Sequence, residues 1–215
     1  MDGNGFTGLN PEMAATNIAS FEGAVRGSVE LLKNAFTTLF TDLKEVWASP
    51  NAVEFSNQYT SEIETFMHDF ASHVGMIDDG ARAAYNAAAN ANGAQTIEAL
   101  VDFEPGGGYA LPCALDAEKN GVVGMNIVAV RDAVLTDFKL NMESALASFA
   151  DIPNAIALYD DADGQRHAYA SRIEKFKDAF SDMAEQITSK VLEYANNESD
   201  RVELAAEQAT EALEA

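Results

Sequence analysis

The side chains that could carry chemistry are few and scattered. The 215 residues include one cysteine, Cys113, and three histidines, His68, His73 and His167. A nucleophilic thiol needs a base beside it to take its proton. None of the three histidines lies in a recognisable motif with Cys113, which reads instead as a buried or connector thiol. One cysteine also excludes an intramolecular disulfide. A carboxylate-bridged di-iron bundle wants Glu-x-x-His on two helices. Glu64 and His68 stand four apart, without a second copy, and read as a surface polar pair. Asp161-Ala162-Asp163-Gly164 has the look of the middle of a calcium loop. Its first ligand would be Tyr159, and its twelfth, a bidentate glutamate in such loops, would be Ala170. The three glycines at 106–108 neither precede a basic residue nor follow a buried strand, so they read as linker rather than phosphate cradle. G-x-x-x-x-G-K-[ST], G-x-S-x-G, H-E-x-x-H and CxxC are all missing. The expectation is a non-enzymatic protein with no cofactor and no metal.

Charge narrows the choice of partner. The chain carries 35 acidic and 13 basic residues, a formal net of −22. Such a surface repels phosphate backbones and anionic lipid, so nucleic acid is not an expected partner. No run approaches the ~18 apolar residues of a spanning helix, so stable membrane insertion is not expected. The opening MDGNGFTGLNPEMAATN has no basic start followed by an apolar stretch, and so no Sec-type signal. With 47% hydrophobic residues the chain can still build a core.

Periodicity supplies that core. Residues 1–13 read as a flexible lead. Ile18, Phe21, Val25, Leu32, Leu39, Leu43 and Val46 recur at helical spacing, widened by Phe36, Phe40 and Trp47. Thr16 or Asn17 can cap this helix. It ends near Ala48, because Pro50 disfavours helix in the residue before it. Ser49 can cap a second helix with Pro50 in its first turn. That helix repeats in sevens: Tyr59, Ile63, Phe66, Phe70, His73 or Val74, Ile77, Ala81, Ala84, Ala88. Gly75 and Gly80 predict a bend or loosening within it. Residues 93–121, with glycines, prolines and interleaved aromatics, read as a connector. A third helix is marked by Ile127, Val128, Val134, Leu135, Phe138, Met142, Leu146 and Phe149. A fourth is marked by Tyr169, Ile173, Phe176, Phe180, Met183, Ile187, Val191 and Tyr194. The acidic, Glu/Ala-rich tail 201–215 can extend it.

The halves resemble one another. Pro50-Asn51-Ala52 recurs as Pro153-Asn154-Ala155, and Trp47 is matched by Phe149. Tyr59, Ile63, Phe66 and Phe70 recur as Tyr169, Ile173, Phe176 and Phe180 at a constant offset of 110. A tandem duplication of a helical hairpin, 14–92 and 122–200, explains this with one insertion near 160–164. The fold expected is all-α: two long antiparallel hairpins forming a four-helix bundle, an intramolecular pseudo-dimer.

A long helix, a turn with Trp47-Ala48-Ser49, then Pro50 and a second long helix resembles the WXG-type (ESX-like) hairpin proteins of type VII secretion. Serine stands here where that family has glycine, and the second hairpin has Phe149 in place of tryptophan. The family often carries Y-x-x-x-D/E after its second helix, and Tyr194-Ala195-Asn196-Asn197-Glu198 fits by pattern and place. Tyr159 to Asp163 fits by pattern as well. Tyr194 is also the next heptad position, and core packing and a signal are compatible roles. The resemblance implies a secretion substrate or toxin-associated helical partner. Its partner would be the secretion machinery or a cognate hairpin protein, with a homodimer also compatible. It would be made in the cytoplasm and exported to the cell surface or beyond. Trp47, Ala48, Ser49 and Pro50 are then the candidate recognition turn, and Tyr194 and Glu198 the candidate signal. The alternative is an amphipathic helical coat or scaffold, phasin-like in character.

Overall fold

The periodic apolar residues from Ile18 to Val46 fall within one helix, α1 (Pro11–Val46). Thr16 and Asn17 therefore lie inside the helix rather than capping it, and the expected lead is helical from residue 11 onward. The computed structural model describes residues 11–91, 93, 95–97, 110–111, 114–150, 152 and 163–214. Cys113, the glycines at 106–108, Pro153-Asn154-Ala155 and Tyr159 lie outside the described residues.

The apolar stripe of α1 is buried as its spacing predicts: Ile18, Phe21, Val25, Leu32, Phe36, Leu39, Phe40 and Leu43. The second helix, α2 (Pro50–Ala91), is 42 residues long, about 63 Å at 1.5 Å per residue. It runs unbroken through Gly75 and Gly80, contrary to the loosening expected there. Val74 just before them and Ile77 between them are buried, and that packing holds the helix where glycine alone would weaken it. The seam departs from a strict heptad. Met67 is fully buried and Phe66 only partly; the side chains of Ala81, Ala84 and Ala88 lie outside the described residues, and beside them Tyr85 and Ala89 are buried. A straight helix has 3.6 residues per turn, so a heptad stripe drifts by about 20° per repeat.

After α2 the chain turns back on it. Ile97 exchanges two hydrogen bonds with the Asn86 side chain, 2.8 and 2.9 Å, and Tyr85 Oη donates to the Gln95 carbonyl. Further on, the Leu111 N–H donates to Glu64 Oε1 (2.9 Å), and the Leu115 N–H to Ser56 Oγ (3.1 Å). Leu111 and Leu115 are buried. The described connector residues Ile97, Leu111 and Leu115 are thus anchored on α2 at residues 86, 64 and 56 in turn. The connector ends in a reversal at Asn120-Gly121, where both φ angles are positive (54° and 77°) and Lys119 pairs with Val122. This is the φ pattern of a type I′ turn, for which Asn-Gly is the preferred pair.

The chain then enters α3 (Ile127–Asp132), a π-helical segment (Ala133–Phe138) and α4 (Lys139–Ser148), with Asn126 as N-cap. Val130, Val134, Phe138 and Met142 are all buried and four apart. Four exceeds the 3.6 residues of an α-turn, and the wider turns of a π segment keep such residues on one face. Val128 and Leu135, expected in this core, are exposed for the same reason: the face is set by the fours. The last helix, α5 (Asp163–Glu214), has 52 residues. Ile173, Phe180, Ile187, Val191 and Ala195 are buried along it, and from residue 200 to 212 every residue is exposed.

The described residues are thus mostly helical, with one two-stranded ladder. Helix α1 packs on α2, α3, the π segment and α4; α5 packs on α2, α3 and α4. Phe36 meets Phe138 with ring centroids 5.8 Å apart, and Ser28 Oγ lies 2.7 Å from Ser148 Oγ, so α1 and α3–α4 run antiparallel. Where α2 crosses α5, Phe66 meets Phe180 (4.9 Å) and Phe70 meets Phe176 (5.3 Å), both edge-on. Edge-to-face geometry sets the positive ring edge against the negative face. Phe149 stacks on Phe70 from the side.

Phe70 is fully buried and touches three other rings. Phe70→Ala is expected to cost about 3–5 kcal/mol in urea unfolding, whereas exposed Leu135→Ala is expected to stay within about 0.5 kcal/mol. Equal costs would show that the core is not centred on this crossing.

Candidate recognition site at the tryptophan turn

Three residues separate α1 from α2. Trp47-Ala48 is extended and forms β1, paired antiparallel with β2 (Gly124–Met125), Trp47 opposite Met125 and Ala48 opposite Gly124. The expected helix–helix turn is therefore also a strand, and helix ends at Val46 rather than near Ala48. The Val46 carbonyl, left without an intrahelical partner at the helix end, accepts from the Asn126 N–H at 2.8 Å. Gly124 takes φ 155°, a conformation that L side chains rarely adopt.

Ser49 organises the turn. Its hydroxyl oxygen accepts the Ala52 N–H (3.1 Å) and so caps α2, as its place before Pro50 predicts. The same oxygen accepts the indole N–H of Trp47 at 3.0 Å. A hydroxyl has two acceptor lone pairs, and both are taken. The Ser49 N–H donates to the Asp116 carbonyl (3.0 Å), tying the connector to the turn. Glycine at this position could supply neither side-chain bond. Outside, Lys119 Nζ bonds the Glu45 carboxylate (2.6 Å) and backbone carbonyl, and this pair holds the Glu45 carboxyl below its usual range.

The indole is 2% exposed. It lies between Phe55 and Tyr194, each with ring centroid 5.4 Å away. Phe55 continues the aromatic layer to Phe40 and Tyr59. Tyr194 is half-buried, with Lys190 Nζ 5.1 Å from its ring centroid on a neighbouring turn. Lys190 is raised by its hydrogen bond to Glu193. Tyr59 lines a surface pocket with Lys190 and Glu193, and burial first, then Glu62, raises its hydroxyl. Glu198 lies half-buried one turn beyond Tyr194, and Pro50 is exposed at the start of α2.

The two candidate motifs, 147 residues apart in the chain, thus meet at one end of the molecule. Trp47, Ala48 and Ser49 are buried beneath this end, while Pro50, Tyr194 and Glu198 reach its surface. His68 is exposed, and Glu64 is engaged in anchoring the connector. Among the described residues no group of three or more His, Cys, Asp and Glu side chains could hold a metal ion. No described helix is long and apolar enough to cross a membrane.

Sequence reading missed two features. Asn120-Gly121 carried a readable hairpin signal. The other is a buried ion network at the opposite end of the α1–α2 hairpin, where Arg82 bonds Glu22 across the helices and Asp78 on its own helix (2.8 Å). Its local sign was an i, i+4 Asp–Arg pair, which reads as a surface pair until the fold buries it. No family model, curated protein or solved structure matches the chain.

Ser49→Ala is expected to cost about 2–3 kcal/mol, the sum of a lost cap and a buried indole N–H left unpaired. In a Trp47→Phe background the same change is expected to cost only about 1 kcal/mol, the cap alone. Equal costs in the two backgrounds, measured by denaturant unfolding, would show that the indole bond is not coupled to the cap.

Proposed function

We propose that the chain is a non-enzymatic protein of a type VII (ESX-like) secretion system, a substrate or toxin-associated helical partner that acts by protein–protein recognition. The observation that carries the reading is the contact between Trp47 and Tyr194. The turn motif belongs to the first hairpin and the Y-x-x-x-E motif to the second, and they form one composite surface with Pro50 and Glu198 at its rim. A partner reading this end would touch both halves at once, and only when they are docked.

The same reading takes the fold as a four-helix bundle and an internal pseudo-dimer. Phe66–Phe180 and Phe70–Phe176 are reciprocal pairs between positions that the repeat equates. Reciprocal pairing is what a two-fold axis between two equivalent hairpins produces. A chain that carries both hairpins satisfies that interface internally, so a second copy is not needed to cover the seam. A helical coat finds its support in the exposed Val122, Val123, Val128, Leu135 and Leu140. Partitioning onto hydrophobic granules would favour it.

Two outcomes are expected. Tyr194→Ala and Glu198→Gln each abolish export from a strain with an active type VII system, while Tyr194→Phe, which keeps the ring on Trp47, separates packing from recognition by the hydroxyl. Unchanged export of Tyr194→Ala, with the protein still folded by circular dichroism, would overturn the reading. Light scattering on the eluting protein is expected to give the mass of one chain, 23.0 kDa, and a dimer mass would remove the pseudo-dimer.

A further inference from the structure

The buried network of Glu22, Asp78 and Arg82 does not balance. Two carboxylates face one guanidinium, and all three side chains are at least nine-tenths buried, Asp78 at 5% exposure. Arg82 Nε holds Asp78 Oδ2, and Arg82 Nη2 holds Glu22 Oε1. Asp78 Oδ1 is buried and has no hydrogen-bond partner among the described residues. An ionised carboxylate out of water is costly unless both its oxygens are satisfied. Among the described residues no ion pair other than those with Arg82 reaches either carboxylate. Asp79, the next residue on α2, adds negative charge, and Arg26, one turn along α1 from Glu22, is exposed. The connector residues that fold back on this end, Gln95, Thr96 and Ile97, are uncharged.

We propose that Glu22, Asp78 and Arg82 form a proton-operated latch between α1 and α2. One proton on Asp78 Oδ1 removes the excess negative charge and leaves a balanced Glu22–Arg82 pair with a neutral acid beside it. The protonated network fastens the far end of the hairpin, and loss of the proton loosens it. Burial first, then the Asp79 charge, push Asp78 up from 3.8 to about 6. A carboxyl raised on folding binds its proton more tightly in the folded chain. Its contribution is therefore full below about pH 4 and is lost as pH rises through about 6. His73, five residues earlier, works the other way. Burial, then Arg172, lower it from 6.5, so its contribution is lost as pH falls, and it cannot imitate the latch.

Hydrogen exchange on the full chain tests this, with rates corrected for intrinsic chemistry. Peptides covering 18–25 and 77–89 are expected to exchange about tenfold faster at about pH 7.5 than at about pH 5, while peptides covering 36–55 change little. Asp78→Asn and Glu22→Gln each remove the excess charge by a different route, and both are expected to abolish the difference. Exchange at the far end that is independent of pH in the wild type would overturn the latch. So would a pH dependence that persists in either variant, or one spread evenly to the Trp47 end.

Discussion

One oxygen joins the parts of this protein. Ser49 Oγ accepts the Ala52 N–H in the first turn of α2 and the indole N–H of Trp47. The first bond starts a 42-residue helix; the second fixes the plane of the largest side chain in the core. With the indole fixed, one side of it receives Phe55 from α2 and the other receives Tyr194 from α5. Helix stop, helix start and the docking of the last helix therefore share one polar atom in a dry environment. An indole N–H buried there without a partner would cost about 1–3 kcal/mol. That cost makes the serine hydroxyl a constraint on the turn as well as a cap.

The connector gives the second half its register. Its Leu111 and Leu115 N–H groups are satisfied by Glu64 and Ser56 of α2, and it meets the turn where the Ser49 N–H donates to the Asp116 carbonyl. The Asn120-Gly121 reversal then aims β2 at β1. A two-residue ladder contributes little alone. It matters because it closes the end of the molecule over Trp47 and sets the start of α3. From there, apolar residues four apart impose the π segment, and the phase of the helix follows the core rather than the reverse.

The two ends of the α1–α2 hairpin are built on opposite principles. The Trp47 end is aromatic, and among the described residues none of its buried side-chain N or O atoms lacks a partner. The far end holds an unbalanced ion network beside the seam, at Asp78 and Arg82, each one residue past the heptad positions Ile77 and Ala81. A satisfied end is specified and rigid; an unbalanced one is poised. Both sit in the same pair of helices, about a helix length apart.

Much of the fold was legible in the residues. The stripe of α1, the stop at Pro50, the cap at Ser49 and the seam of α5 follow from local rules of spacing, proline and hydroxyl chemistry, and they act within a few residues. Tyr194 was readable as a core position and as a motif. What the sequence could not decide were matters of long separation. These are the pairing of Trp47-Ala48 with Gly124-Met125, the placing of Tyr194 on Trp47, and the anchoring of the connector on α2. The burial of Glu22, Asp78 and Arg82 was hidden for the same reason. Asp78 and Arg82 four apart look alike on a wet or a dry face, and only the approach of α1 removes the water. Spacing fixes which residues share a face of their own helix. Which faces meet, and which charges lose their solvent, is settled by packing between elements, and packing carries no signature in a single stretch of chain.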